Sequence, residues 1–231
     1  MKKIDYQGSY SGRREKHRFL LRNFADYFKG SILDVGCDQA YLKSFLNQIK
    51  PNQIKYIGVD KMGTPDIIVD LEKSPLPFRD KEFDFVYWLD VLEHLNNAHE
   101  IFDELVRVSR KFILLSLPNN FYLWERIRVM RGVRPNDKYG LLPNPPEDWH
   151  KWFFNINDAI KFISYRSKIN RCRIKKKFPF YKTDGKLGLV RTLFKKFGLF
   201  SNLFAMSYWA LLEREDGTKS FKIDELKAFK S

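Results

Sequence analysis

Cysteine is scarce in this chain: Cys37 and Cys172 are the two among 231 residues, and their spacing suits no metal site. Reduced thiols in a cytosolic protein are the reading that follows. No apolar run approaches the roughly 18 residues needed to cross a bilayer. Behind Met1-Lys2-Lys3-Ile4-Asp5 there is no apolar segment of the signal-peptide kind, so a cytoplasmic location is expected. The phosphate-cradling patterns G-x-x-x-x-G-K-[ST] and G-x-G-x-x-G are both missing, which argues against a ligand held by its pyrophosphate. Internal repeats are missing too. With no Cys/His cluster, no metal is expected. Acidic residues are outnumbered, 28 against 42 Lys and Arg, giving a net charge of +14.

What is present is a foldable chain, 44% hydrophobic and 16% aromatic, long enough for one α/β domain with elaborations. It is organised around residues 31–42. This stretch begins apolar with Ile32, Leu33 and Val35, carries Asp34, and ends in Gly36, Cys37, Asp38 and Ala40. From Tyr41 onward Leu42, Phe45, Leu46 and Ile49 recur at helical spacing. The pattern predicts a buried strand, a sharp turn and a helix, the turn lying at a strand's carboxyl end, where ligands bind in open parallel sheets. Gly36 lets backbone come close to a ligand, and the helix start offers N–H groups. A second strand at 56–60 also ends in an acid, Asp60. A carboxylate there can accept hydrogen bonds from the hydroxyls of a ribose. A ribose without a pyrophosphate points to S-adenosylmethionine.

These residues carry a resemblance. Ile32 to Leu42 resembles the first motif of class I S-adenosylmethionine-dependent methyltransferases, acid-x-Gly-x-Gly-x-Gly, and Tyr56 to Asp60 resembles their second. Val69-Asp70-Leu71-Glu72, Leu76-Pro77-Phe78, Phe83-Asp84-Phe85-Val86 and Val91-Leu92-Glu93-His94-Leu95 follow in the order of the methyltransferase type 11-like subfamily. Asp38 and Ala40 stand where the family has its second and third glycines, so Asp38 needs a turn that tolerates a side chain. The resemblance implies an α/β fold, a Rossmann-like three-layer sandwich with a mostly parallel seven-stranded sheet of order 3-2-1-4-5-7-6. It implies a single domain over residues 1–231, with an N-terminal arm and helix at 1–29, a lid insertion at 119–155 and a charged tail at 215–231. The implied cofactor is S-adenosyl-L-methionine, bound by Asp34, Gly36, Cys37, Asp38, Tyr41, Asp60, Lys61, Met62, Asp70, Leu71 and Leu89. Lys61 and Met62 would border the adenosine, and Asp70 and Leu71 its adenine edge, although Asp70 reads equally as a turn acid. Tyr10 and Arg14, from the leading segment, are candidates to close over the methionine end.

Along the chain, periodicity predicts a helix over 14–28 and strands at 67–70, 83–88 and 112–117. The link from Asp60 to the strand at 67 is short for a crossover, so its helix is expected to be missing or a single turn. His94 is read as opening a helix that continues through Ile101, Leu105 and Val108. Residues 121–131 read as a basic amphipathic helix and 157–165 as a helix. Strands at 171–180 and 206–213 are expected to close the sheet as an antiparallel hairpin.

Two histidines are candidate bases. His94 follows the fourth strand, and His150 lies amid aromatics; each reads also as a packed, hydrogen-bonded side chain. Leu89-Asp90-Val91-Leu92 lacks the acid- or amide-Pro-Pro-aromatic run of amino-methylating relatives, so a hydroxyl acceptor is favoured. The basic, aromatic-rich stretches 121–131 and 187–204 suggest an anionic membrane surface, and with it a small, sugar or lipid-linked acceptor. Between Arg166 and Lys196 twelve Lys or Arg face one acid, Asp184, which makes RNA the second choice of partner. A binding module that has lost catalysis is the third.

Overall fold

Strand alternation builds two apolar cores, one on each face of a single sheet. The computed structural model describes residues 12–49, 53–135, 138–139, 143–144, 149–181 and 200–215. The strands are β1 (Gly30–Val35), β2 (Ile54–Asp60), β3 (Ile67–Ile68), β4 (Phe83–Leu89), β5 (Ser109–Pro118), β6 (Cys172–Tyr181) and β7 (Ala205–Arg214). Their order is β3-β2-β1-β4-β5-β7-β6. The first five run parallel, and β7 lies antiparallel between β5 and β6. This is the expected topology.

Ile32, Phe85, Tyr87, Leu114, Trp209 and Leu211 point to one face, where they meet α1 (Arg13–Phe24) and α2 (Tyr41–Ile49) through Phe19, Leu20, Phe24, Leu42 and Leu46. Their neighbours Leu33, Val35, Val86, Trp88, Ile113, Leu115, Ala210 and Leu212 point to the other face. There α3 (Ala98–Val108) and α5 (Ile156–Ile169) cover them with Ile101, Phe102, Leu105, Ala159 and Ile163. Truncating a buried aromatic such as Phe85 or Trp209 to Ala costs about 3–5 kcal/mol, whereas an exposed ion pair contributes about 0–1 kcal/mol. The two cores therefore hold the sheet, and the many surface ion pairs adjust it. A fifth segment, α4 (Leu123–Met130), follows β5.

From β1 the chain moves outward to β2 on one side, then returns to β4 on the other. The crevice outside the carboxyl ends of β1 and β4 is thus the switch point at which such sheets bind ligands.

Several boundaries differ from the sequence expectation. The first helix ends at Phe24, and a single 3-10 turn, Ala25–Tyr27, leads to β1. Between β2 and β3 there is no helix, as the short link predicts. Asp66 closes the link by accepting from the Gly58 N–H at 2.9 Å and donating its own N–H to the Gly58 carbonyl at 2.9 Å. His94 does not open α3. It ends a separate 3-10 turn, Leu92–His94, after which Leu95 is extended and α3 starts at Ala98. The break lets both Leu92 and Leu95 reach the core. The Asn97 side chain donates to the Leu71 carbonyl across it, at 2.8 Å.

Candidate active site

One half of the crevice is made by the turn after β1 and the tip of β2. Gly36 has φ +75°, and both Asp38 and Ala40 have φ +48°. The residues standing at the second and third glycine positions thus adopt the left-handed backbone that glycine would favour, at a cost of about 1–2 kcal/mol each. Asp60 supports this conformation. One of its oxygens accepts the Asp38 N–H at 2.9 Å; the other accepts the N–H groups of Lys61 at 2.7 Å and Met62 at 3.2 Å. The Asp38 carbonyl accepts the Thr64 N–H at 2.7 Å, so the loop after β2 is clasped to the turn after β1.

Asp34 lies beneath the turn, buried, with the Tyr56 hydroxyl donating to it at 2.6 Å. Burial pushes its pKa up to about 7; the charge of Asp60 adds to the rise, while the Tyr56 bond and Lys16 oppose it. Burial likewise pushes the Cys37 thiol up to about 12, with Asp34 adding, so this cysteine is an inert neighbour of the turn rather than a nucleophile. Tyr41 starts α2, its ring 6.0 Å from that of His17. Lys61 and Met62 are exposed at the rim, Leu71 is buried, and Leu89 ends β4 half-buried. Asp70 accepts the Glu72 N–H at 3.1 Å and pairs with Lys73 at 2.9 Å, which lowers its pKa. Tyr10 and the side chain of Arg14 lie outside the described residues.

The other half is built on the tip of β4 and is a cluster of buried charge. Lys16 of α1 reaches across to pair with Asp90, whose second oxygen accepts the Ser116 hydroxyl at 2.5 Å. Glu93 is 1% exposed, and burial together with the Asp90 charge raises its pKa well above the carboxylate range. The His94 ring meets the His150 ring edge to face at 4.5 Å. Residues 149–152 are laid over this turn. The Lys151 N–H donates to the Glu93 carbonyl at 2.6 Å, and the Trp152 indole donates to the Leu95 carbonyl at 2.6 Å. One ligand-type atom each of Glu93, His94 and His150 lies within 4.8 Å of the other two.

The sequence singles out both histidines, and its fourth strand carries Asp90 to the crevice, but it does not single out Glu93 or Lys16. A glutamate beside a histidine reads as surface, and nothing in the sequence brings Lys16 to a residue 74 positions away. The two halves touch. A Cβ on Gly36 would lie 2.3 Å from the Val91 side chain, so Val91 packs directly on the turn.

A seven-stranded sheet of order β3-β2-β1-β4-β5-β7-β6, with β7 antiparallel, a glycine turn after β1 and an acid at the tip of β2, is the class I methyltransferase fold. Residues 7–167, more than half of the chain, match the family model of the methyltransferase domain, and the protein belongs to that family. No curated protein matches it in sequence. Among solved structures it is similar to a SAM dependent methyltransferase from Archaeoglobus fulgidus, with 19% identity over 88% of this chain and 95% of that one and a TM-score of 0.57. It is also similar to the small RNA methyltransferase HEN1, with 17% identity, 96% of this chain covering 28% of that one, and a TM-score of 0.57. A third similar structure, geranyl diphosphate methyltransferase in complex with SAM, has 10% identity over 87% of this chain and 85% of that one, with a TM-score of 0.50.

Proposed function

We propose that the protein transfers a methyl group from S-adenosylmethionine to a hydroxyl of a sugar or lipid-linked acceptor. The observation that carries this reading is the contact of Val91 with Gly36. It sets a nucleoside-type turn directly beside a buried carboxylate–imidazole cluster on one rim. The donor set fits the cofactor. Three backbone N–H groups fill three of the roughly four lone-pair sites of Asp60, which leaves one for a ribose hydroxyl. When bound, S-adenosylmethionine supplies an electrophilic methyl carbon on a sulfonium. The acceptor oxygen forms the new C–O bond as the C–S bond breaks, and the hydroxyl proton has to leave. Glu93, His94 and His150 are the groups placed to handle it, and most of the acceleration would come from in-line positioning.

The pocket wall would come from the insertion at 119–155. Rings of Phe121, Phe153, Tyr139 and His150 follow one another at centroid distances of 4.5, 4.9 and 5.3 Å, a file of aromatics leading from the start of α4 to the cluster. Next to it α4 exposes Trp124, Val129 and Met130 alongside Arg126 and Arg128, which suits an apolar acceptor tail or an anionic surface. No helix among the described residues is long and apolar enough to cross a membrane. The basic run beginning at Arg166 offers RNA less than its charge suggests. In its described part Arg166 pairs with Asp103, Arg173 and Lys175 pair with Glu213, and Lys176 lies over Phe24 and Tyr27. The rest of the run, and most of the stretch 187–204, fall outside the described residues.

Calorimetry with S-adenosylmethionine tests the donor, and tritium-labelled methyl transfer into a whole-cell extract tests the acceptor. Label in a lipid or glycan fraction supports the reading. Label sensitive to ribonuclease would replace the acceptor class, and no heat of binding together with no thermal shift would defeat the enzyme.

A further inference from the structure

We propose that α4 and the turn after it are a docking face for an anionic lipid bilayer, held beside the mouth of the crevice. A helix on the surface of a protein in water turns its apolar side inward and its charges outward. In α4 the reverse holds. Its buried side chain is Glu125, to which the Tyr122 hydroxyl donates at 3.0 Å. Trp124, Val129 and Met130 face solvent, as does Val133 in the turn that follows, and Met130 is 76% exposed. Seven of the fourteen large apolar side chains exposed among the described residues fall between positions 124 and 153, a stretch of 30 in a chain of 231. The other three of these seven, Trp149, Trp152 and Phe153, belong to the segment laid over the crevice rim. The Phe153 ring meets that of Phe121 at 4.5 Å, which ties α4 to the rim. An apolar concentration of this kind marks a surface built to be covered.

Charge decides what covers it. Between Phe121 and Arg134 four arginines stand against one acid, and that acid is the inward-turned Glu125. Arg126, Arg128 and Arg131 are exposed among the apolar side chains rather than gathered on a face of their own. Arginine stems lie along apolar surface while their guanidinium heads stay at the polar level, so this mixture fits the boundary between acyl chains and anionic headgroups. A tryptophan such as Trp124 belongs at the same depth. A second copy of the chain fits poorly, because a two-fold contact would set arginines against arginines with no exposed acid on α4 to answer them. RNA would meet the arginines, but it offers a charged backbone and flat bases rather than an apolar layer for the aliphatic Val129, Met130 and Val133. Docked on a bilayer, the protein would turn the crevice mouth, through Phe121 and Phe153, toward lipid. That an acceptor enters from the bilayer rests on the methyl-transfer reading, while the docking itself does not.

The test sediments the full chain, without S-adenosylmethionine, with vesicles of phosphatidylcholine containing about 30% phosphatidylglycerol, and with vesicles of phosphatidylcholine alone. Binding to the anionic vesicles is expected to be tighter by about tenfold or more, and to weaken as salt is raised. The double variant Val129→Asp/Met130→Asp should lose about tenfold or more in affinity for the anionic vesicles. Ile68→Asp is the control: that side chain is 78% exposed at the β3 edge, and its variant should bind as the wild type does. Thermal unfolding checks that each variant folds, and if the double variant does not, Met130→Asp alone carries the test. No binding of the wild type to anionic vesicles, with or without retention on a tRNA column, would overturn the docking face. So would equal binding to both vesicle types, wild-type binding by the double variant, or an equal loss in Ile68→Asp. No methyl donor enters these measurements, so a failure here is separable from a failure of the methyl-transfer reading.

Discussion

The two halves of the crevice solve the same problem with opposite means. On the β1–β2 side backbone N–H groups of Asp38, Lys61 and Met62 hold the Asp60 carboxylate in place and leave it one acceptor site. On the β4 side they are side chains: Lys16, Asp90, Glu93, His94 and His150, drawn from distant parts of the chain and largely out of water. The first half is geometry fixed before any ligand arrives. The second is charge held at a cost, which is where chemistry is usually placed. Binding and turnover should therefore respond to different substitutions.

The sharpest way to break that division is at Gly63. Its φ is +83°, and a Cβ there would lie 2.3 Å from the Asp38 carbonyl oxygen, a backbone atom that cannot swing away. Left-handed strain and overpacking together make Gly63→Ala cost about 2–5 kcal/mol, enough to weaken S-adenosylmethionine binding by roughly 30-fold or more. Gly36→Ala meets a side chain instead, that of Val91, so adding Val91→Ala should recover part of the loss. Calorimetry on the three variants checks this, and wild-type affinity in Gly63→Ala would show that the first half is not rigid.

On the other side, His94→Gln and His150→Gln should lower turnover by about a hundredfold while cofactor affinity stays within a few-fold of wild type. Single-turnover methyl transfer set beside calorimetry separates the two quantities. Equal losses in both would erase the contrast between the halves.

The contrast also explains what the sequence disclosed. The β1–β2 half is local: Asp34, Gly36, Asp38 and Asp60 follow one another within thirty residues, in the period of strand, turn and helix, and the strand order follows from that period. Even the two departures from glycine are legible as a demand on the turn, and the backbone meets it at φ +48°. The β4 half is assembled from α1, the tip of β4 and residues 149–152, so its partners are set by tertiary packing alone. His94 reads as helical from sequence because Leu92 and Leu95 fit a helical period as well as they fit a turn followed by an extended residue. Glu93 escapes notice because burial of a glutamate has no signature in a single sequence.

Asp60→Asn sharpens the comparison at a lower level. The amide keeps one acceptor oxygen and turns an NH₂ toward N–H groups, so at least one of the three bonds from Asp38, Lys61 and Met62 is lost. Hydrogen bonds to a charged group contribute about 1.5–3 kcal/mol, so affinity for S-adenosylmethionine should fall about 10- to 100-fold. The β4 cluster should be untouched, which single-turnover rates at saturating cofactor would show.

The smallest effect expected is on stability, and it comes from the one buried charge on the β1–β2 side. The pKa of Asp34 is pushed up to about 7 from the usual 3.8, chiefly by burial. Because the folded value lies above the unfolded one, the folded state binds the proton more tightly across that interval, and stability falls as pH rises from about 4 through about 7. A tenfold difference in proton affinity corresponds to about 1.4 kcal/mol, so the part of the loss between about pH 5.5 and about pH 7.5 should be about 1–2 kcal/mol. Denaturant unfolding of the cofactor-free protein at the two pH values measures it. Asp34→Asn should remove this slope while keeping an oxygen for the Tyr56 hydroxyl, whose bond to Asp34 is 2.6 Å. If the slope survives in Asp34→Asn, the titrating group lies elsewhere, and the β1–β2 half stores no charge cost at all.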